Sequence, residues 1–210
     1  MPPPMSSAQR AMRLFAVLIA GCEKLPAYGP DGETAIFKGE TRLHALMFWL
    51  RNPDYLAWEL LELHSVTGEA ALVARVRAIL VQEEPILRRD AMPKWRFGAY
   101  DPIDTEMAIL TSRRLARTVH RPVGPKSAEN SFLLFPAAFQ FESAVAGNVA
   151  YQWYADRMRI VMQVGGNRPG SDLKDTQYKH IEYAKTPGHG LIPPITQRVE
   201  DRLKRIEGIG

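Results

Sequence analysis

Prolines set the limits of almost every regular element this chain can form. Asn52-Pro53, Pro85, Asp101-Pro102, Pro136 and Pro193-Pro194 punctuate a sequence of 210 residues. Each proline removes a backbone donor and fixes φ, so a helix can begin there but cannot run through undisturbed. Between these breaks, apolar residues return every three or four positions, the period of a helix with one buried stripe. Leu43, Leu46, Met47 and Leu50 predict a helix over 39–51. Leu56, Leu60 and Leu63 predict the next, from Pro53 to about His64, with Asn52 as its N-cap. Leu72, Val73, Val76, Ile79 and Leu80 predict a third over 68–84, ended by Pro85. Asp101-Pro102 opens a fourth on Ile103, Met107, Leu110 and Leu115.

The pattern then changes. Ala116 to Arg121 and Ser131 to Phe135 are short extended segments, and the nine residues between them are rich in Pro, Gly, Ser and Asn. After Pro136 the helical period returns through Val149, Trp153, Ile160, Val161 and Val164, and Gly165-Gly166 ends it. Ser171 caps a further helix, and Pro193-Pro194 starts the last. Helices on short turns followed by a β-hairpin predict a mainly α chain with a small β-hairpin. The expected architecture is a winged-helix-like domain over 1–136, with a C-terminal helical region over 137–210 packed on it.

Two readings of the N-terminus stand side by side. Arg10 and Arg13 precede the apolar run Leu14 to Ala20, and Ile19-Ala20-Gly21-Cys22 matches the cleavage box of a bacterial lipoprotein signal. On that reading Cys22 is lipidated and the protein is periplasmic. The same residues also make an ordinary first helix, with Ala8, Met12, Phe15, Ile19 and Cys22 on one stripe and Ser6 or Ser7 as N-cap. The single cysteine excludes an internal disulfide framework and a cysteine metal cage, and it fits a reducing, cytoplasmic setting.

Signatures of catalysis are missing. There is no G-x-x-x-x-G-K-[ST] phosphate loop and no G-x-S-x-G elbow. Gly165 to Gly170 is glycine-rich, but it follows a predicted helix and Pro169 removes a donor, so it reads as a helix end and turn. None of His44, His64, His120, His180 and His189 pairs at the i, i+4 spacing that zinc requires on a helix. Asp172-Leu173-Lys174 with Pro53-Asp54 has the letters of a metal-dependent nuclease, but it opens a helix where that chemistry needs a strand. The expectation is a non-enzyme with no cofactor and no metal.

Charge supplies a better candidate. The formal net charge is only +4, yet Arg113, Arg114, Arg117, Arg121 and Lys126 follow one another with no acid among them. Beside a helix and a wing, such a set suits phosphates or an acidic partner, and a solvated helix end with cations at its C-terminus gives the same pattern. Asp104 and Glu106 at the start of that helix oppose base reading, because they repel phosphates. Trp153, Tyr154, Tyr178 and Tyr183 read as core, or as a partner-facing strip of the kind that enriches interfaces.

Phe48 to Leu61, with its Arg51-Asn52-Pro53, followed by Arg96 to Pro102, resembles the middle component of bacterial ABC-three-component conflict systems. In that family an Arg-[Asn/Tyr]-Pro element precedes a Tyr-Gly-Pro-Trp-Asp-like turn that opens the next helix. Here Ala99 replaces the proline and Tyr100 the tryptophan. Tyr178 to Thr186 and Ile192 to Val199 are also similar. The resemblance implies a cytoplasmic, winged-helix-like accessory subunit without an active site. It would link a large SMC-like ABC ATPase to an effector protein in a defence or mobile-element system, and the lipoprotein reading would fall. The alternative from the residues alone is a winged-helix regulator that binds duplex DNA through Arg113 to Lys126.

Overall fold

The computed structural model describes residues 5–95, 98–124 and 127–208. Helix α1 (Ser7–Gly21) starts at a capping box. Ser6 Oγ accepts from Gln9 N at 3.2 Å, and Gln9 Oε1 accepts from Ser6 N at 2.7 Å. The expected single stripe is too narrow for what α1 does. Leu14, Phe15, Val17 and Leu18 are all at most 1% exposed, so the helix is buried on several sides, as its unbroken apolar run demands. A peptidase cut ahead of Cys22 would remove this helix from the core. Cys22 itself is half-buried, its thiol donates to Ile19 O at 3.3 Å, and burial pushes its pKa up to about 11.

Strands β1 (Glu23–Lys24) and β2 (Ala35–Phe37) follow, then α2 (Glu40–Arg51), α3 (Pro53–Thr67), α4 (Ala70–Val81) and the short α5 (Glu84–Leu87). Two proline expectations shift here. Asn52 makes no side-chain cap; its Nδ2 donates back to Phe48 O at 2.8 Å. Pro85 lies in the first turn of α5, where a missing N–H costs nothing, so it starts a helix, and α4 has already ended at Val81.

A two-stranded ladder, β3 (Lys94–Trp95) with β4 (Gly98–Ala99), precedes α6 (Asp104–Ser112). Asp101 does not cap α6, because its carboxylate accepts from Arg51 Nη1 at 2.6 Å. Strands β5 (Ala116–Gly124) and β6 (Ser127–Leu134) run further than their sequences advertise. The expected loop continues the ladder out to Gly124 opposite Ser127, with a bulge between Pro122 and Gly124. The remaining helices are α7 (Pro136–Val145), α8 (Val149–Gly165), α9 (Gly170–Tyr178), α10 (Ile181–Lys185) and α11 (Thr196–Glu207). Asn148 caps α8 by accepting from Ala150 N and Tyr151 N.

The fold is thus mainly helical, with a small antiparallel sheet ordered β1-β2-β6-β5. Strand β2 sets Ala35 opposite Leu134 and Phe37 opposite Phe132, tying the start of the chain to the hairpin a hundred residues later. One apolar cluster extends from Ala11 to Leu203, so the helices after Pro136 share the core of the preceding part. Helix α8 meets α2 closely: a Cβ at Gly165 would lie 2.5 Å from Leu46 Cδ2. Among the described residues no helix is long and apolar enough to cross a membrane.

Candidate functional site

The five cations marked by sequence do not form one open patch. Arg113 and Arg114 close α6 and are exposed, and the Arg114 guanidinium lies 5.5 Å from the centre of the Phe135 ring. Arg117 is taken up by acids from the loop before β2. Its Nε donates to Glu33 at 2.5 Å and its Nη2 lies 3.2 Å from Asp31. Glu33 is fully buried and also accepts from Asp31 N at 3.0 Å. Burial alone would raise its pKa, but backbone N–H groups and Arg117 outweigh that and hold it below the usual glutamate range. Arg121 pairs across the hairpin with Glu129 at 2.6 Å. Lys126 lies outside the described residues. Helix α6 exposes Asp104, Thr105, Ala108, Thr111 and Ser112 and carries no basic residue in its last turn.

A groove of about 700 Å³ runs between α1, α8 and the segment 88–90, with Met5, Met12, Trp153 and Tyr154 along its walls. Arg13 and Arg51 reach Asp90 from two sides, at 2.5 and 3.1 Å. Burial would raise the Asp90 pKa, and the two guanidiniums outweigh it and hold it low. Arg51 also binds Asp101, which joins the Arg51-Asn52-Pro53 element to the Tyr100-Asp101 turn in one ion-pair cluster. Arg88 packs over the Trp153 ring at 5.2 Å and has no carboxylate within 4 Å among the described residues. The groove therefore holds an excess of guanidinium beside apolar and aromatic surface. Trp153 and Tyr154 belong to this surface, whereas Tyr183 is wholly buried.

A second concave region lies at the start of α2. Two lobes, of about 350 and 560 Å³, share Thr41 and Lys174. Glu40, His44, Trp95, Tyr100 and Gln177 line the first, and Lys38, Arg42, Arg121 and Arg168 line the second, where Glu23 and Glu129 are the acids. The starts of α2 and α9 converge here, each without a side-chain cap. Their approach requires glycine, because a Cβ at Gly170 would lie 2.5 Å from Arg42 N. Sequence reading treated Gly165 to Gly170 as a helix end and turn. That is correct for Gly165 and Gly166, but it misses the meeting of two helix N-termini. Arg42 and Lys174 are more than a hundred residues apart, so no local pattern joins them.

The other chemical candidates are absorbed by the fold. His180 Nε2 meets Glu59 at 2.8 Å in the interior. Asp54 is buried and accepts from Ile195 N at 2.6 Å, which commits it to backbone. Among the described residues no group of three or more His, Cys, Asp or Glu side chains could hold a metal ion. Arg96 and Phe97 of the resembling turn lie outside the described residues. No family model, curated protein or solved structure matches the chain.

Proposed function

We propose that this protein is a non-catalytic accessory subunit that works by docking onto larger partners. The groove between α1 and α8 carries the proposal. It combines Met5, Met12, Trp153 and Tyr154 with Arg13, Arg51, Arg88 and Arg89 against Asp90 alone among its lining acids. Aromatic, methionine and arginine side chains are the types enriched at the centres of protein interfaces. The charge excess selects an acidic segment with apolar anchors as the occupant. On this reading the middle component of an ABC-three-component system is the role, with an SMC-like ABC ATPase and an effector as partners.

The connectivity supports the same role. Elements α1, β2, α2, α6, β5 and β6 follow one another in the order of a winged helix, and β2 pairs with β6 beside the hairpin. The segment from α3 to β4 is then an insertion between the second and third helices. Direct DNA binding is the weaker alternative, because Arg117 and Arg121 are already neutralised and Asp104 leads α6.

Purification of the tagged protein with its genomic neighbours tests the docking role. A large ATPase should co-purify, and Trp153→Ala combined with Arg88→Glu should release it while the thermal transition stays cooperative. A chain that purifies alone, or a variant that keeps the partner, overturns the proposal. Duplex DNA binding with a steep salt dependence favours the alternative.

A further inference from the structure

Arg42 is a buried cation without an anion. It is 7% exposed, its Nη1 donates to Gly21 O at 2.8 Å and its Nη2 to Gly166 O at 3.1 Å. Its Nε has no acceptor, and no carboxylate lies within 4 Å among the described residues. The guanidinium lies 4.7 Å from the centre of the Phe37 ring, and burial lowers its pKa from the usual arginine value against an opposing pull from Glu23. Two residues further along α2, on a different side of the helix, His44 is 5% exposed and its Nδ1 has no partner. Both residues line the two-lobed region at the start of α2.

The cationic lobe is built for a compact anion. The starts of α2, 12 residues long, and α9, 9 residues long, meet at this lobe without a side-chain cap on either, although Gly39 N already donates to Ser131 Oγ and Asp172 N to Pro169 O. Lys174 and Arg168 stand beside Arg42, and neither has a carboxylate within 4 Å among the described residues. Glu23 and Glu129 are also present, each paired with its own cation, Lys38 and Arg121. A multiply charged anion would satisfy what remains.

The neighbouring lobe is built for a flat ring. Trp95 is 47% exposed, and His189, held at φ +66° with its N–H donated to Lys94 O, sets its imidazole perpendicular to the indole at 4.1 Å. Tyr100 is 6.4 Å from Trp95 on one side and 4.5 Å from His44 on the other, centre to centre. Tyr183 Oη accepts from Ala99 N at 2.6 Å and donates to Gln177, which fixes the floor. Glu40, held by Asn130 at 2.7 Å, offers an acceptor. Volumes of about 350 and 560 Å³ are in the range of small-molecule sites.

We infer that this two-lobed cleft binds a nucleoside phosphate, its base in the aromatic lobe against Trp95 and its phosphates in the cationic lobe beside the starts of α2 and α9. Lys174, common to both lobes, sits where ring and phosphate meet. The inference does not rest on the docking groove, with which the cleft shares no residue.

Calorimetric titration of the full chain with ATP, GTP, CTP and UTP, and with sodium tripolyphosphate, tests it. At least one nucleotide should bind tenfold or more tightly than tripolyphosphate. Trp95→Ala should remove that advantage and leave tripolyphosphate binding intact, since stacking on one aromatic ring is worth about a tenfold factor or more. Lys174→Ala should weaken both ligands about tenfold, the loss expected for one charge-assisted contact. Absence of nucleotide binding at about 1 mM, equal affinity for tripolyphosphate, or equal loss of both ligands in Trp95→Ala overturns the inference. A 5′-phosphorylated oligonucleotide binding more tightly than every mononucleotide does so too.

Discussion

The hairpin and the cleft at its foot are both rich in cations, and they have opposite electrostatic characters. On the hairpin Arg117 and Arg121 are met by Glu33, Asp31 and Glu129. In the cleft Arg42 is held by two carbonyl oxygens and the Phe37 ring, and Lys174 and Arg168 have no carboxylate within 4 Å among the described residues. A run of basic residues in sequence therefore says how much charge is present and nothing about how much is free. The acids that close the hairpin come from 84 residues away in the case of Glu33, and the cations that open the cleft come from two separate segments, α2 and 168–174.

Closed and open arginines should respond differently to removal of their charge. The largest effect is expected where a closed pair is fully buried. Arg157, 5% exposed, donates to Glu84, 6% exposed. Arg157→Met should cost about 3 kcal/mol in urea unfolding, because it strands a carboxylate in the interior. Burial already raises the Glu84 pKa, so losing Arg157 raises it further. The penalty applies only to the charged form, so the deficit of the variant should narrow as pH falls toward the ordinary glutamate value of about 4.3. A deficit independent of pH would break the comparison.

Next comes Glu33→Gln, expected to cost about 1–2 kcal/mol at neutral pH, since Arg117 keeps some access to water. Here the pKa shift has the opposite direction, yet the deficit again shrinks in acid. Glu33 has a depressed pKa, so its contribution is present above the ordinary value and is lost as pH falls through the folded one. Wild type and variant should converge in acid. The variant should also elute later from heparin at neutral pH, because Arg117 is released on the hairpin.

Arg42→Met should cost about 1–2 kcal/mol, less than Arg157→Met, since it leaves the Gly21 and Gly166 carbonyls without this donor but no buried carboxylate. A loss as large as that of Arg157→Met would show that Arg42 is a closed charge after all. The smallest effect belongs to Arg113→Ala, within about 0.5 kcal/mol by thermal unfolding, as for an exposed side chain away from any network.

Much of the helical layout was legible because prolines and caps act locally. Ser6 and Gln9 form their box within one turn, and Pro53 and Pro136 sit in the first turns of the helices they announce. Expectations failed where a side chain had a distant use. Asp101 has the right identity for a cap, yet Arg51 claims its carboxylate. Pro122 has the wrong identity for a strand, yet the ladder continues past it by way of a bulge. The hairpin cations were legible as residues but not as ion pairs. The groove was half visible in Trp153, Tyr154 and Arg88. The cleft was hidden, because Gly170 matters for what it lacks against Arg42, a relation that only the packed chain contains.

The position of α1 has a consequence for how the molecule is made. This helix is made before its packing partners, because the surfaces that bury Leu14, Phe15 and Val17 include α6 and α8, and α8 ends at Gly165. At synthesis rates of about 5–20 residues per second, roughly 7–30 s separate the two ends of that contact. Until α8 is made, this apolar segment of the nascent chain lacks one of its two main packing partners. The core around α1 is therefore completed only after α8 is made, and α1 is the segment that a ribosome-bound chaperone would be expected to hold in the meantime.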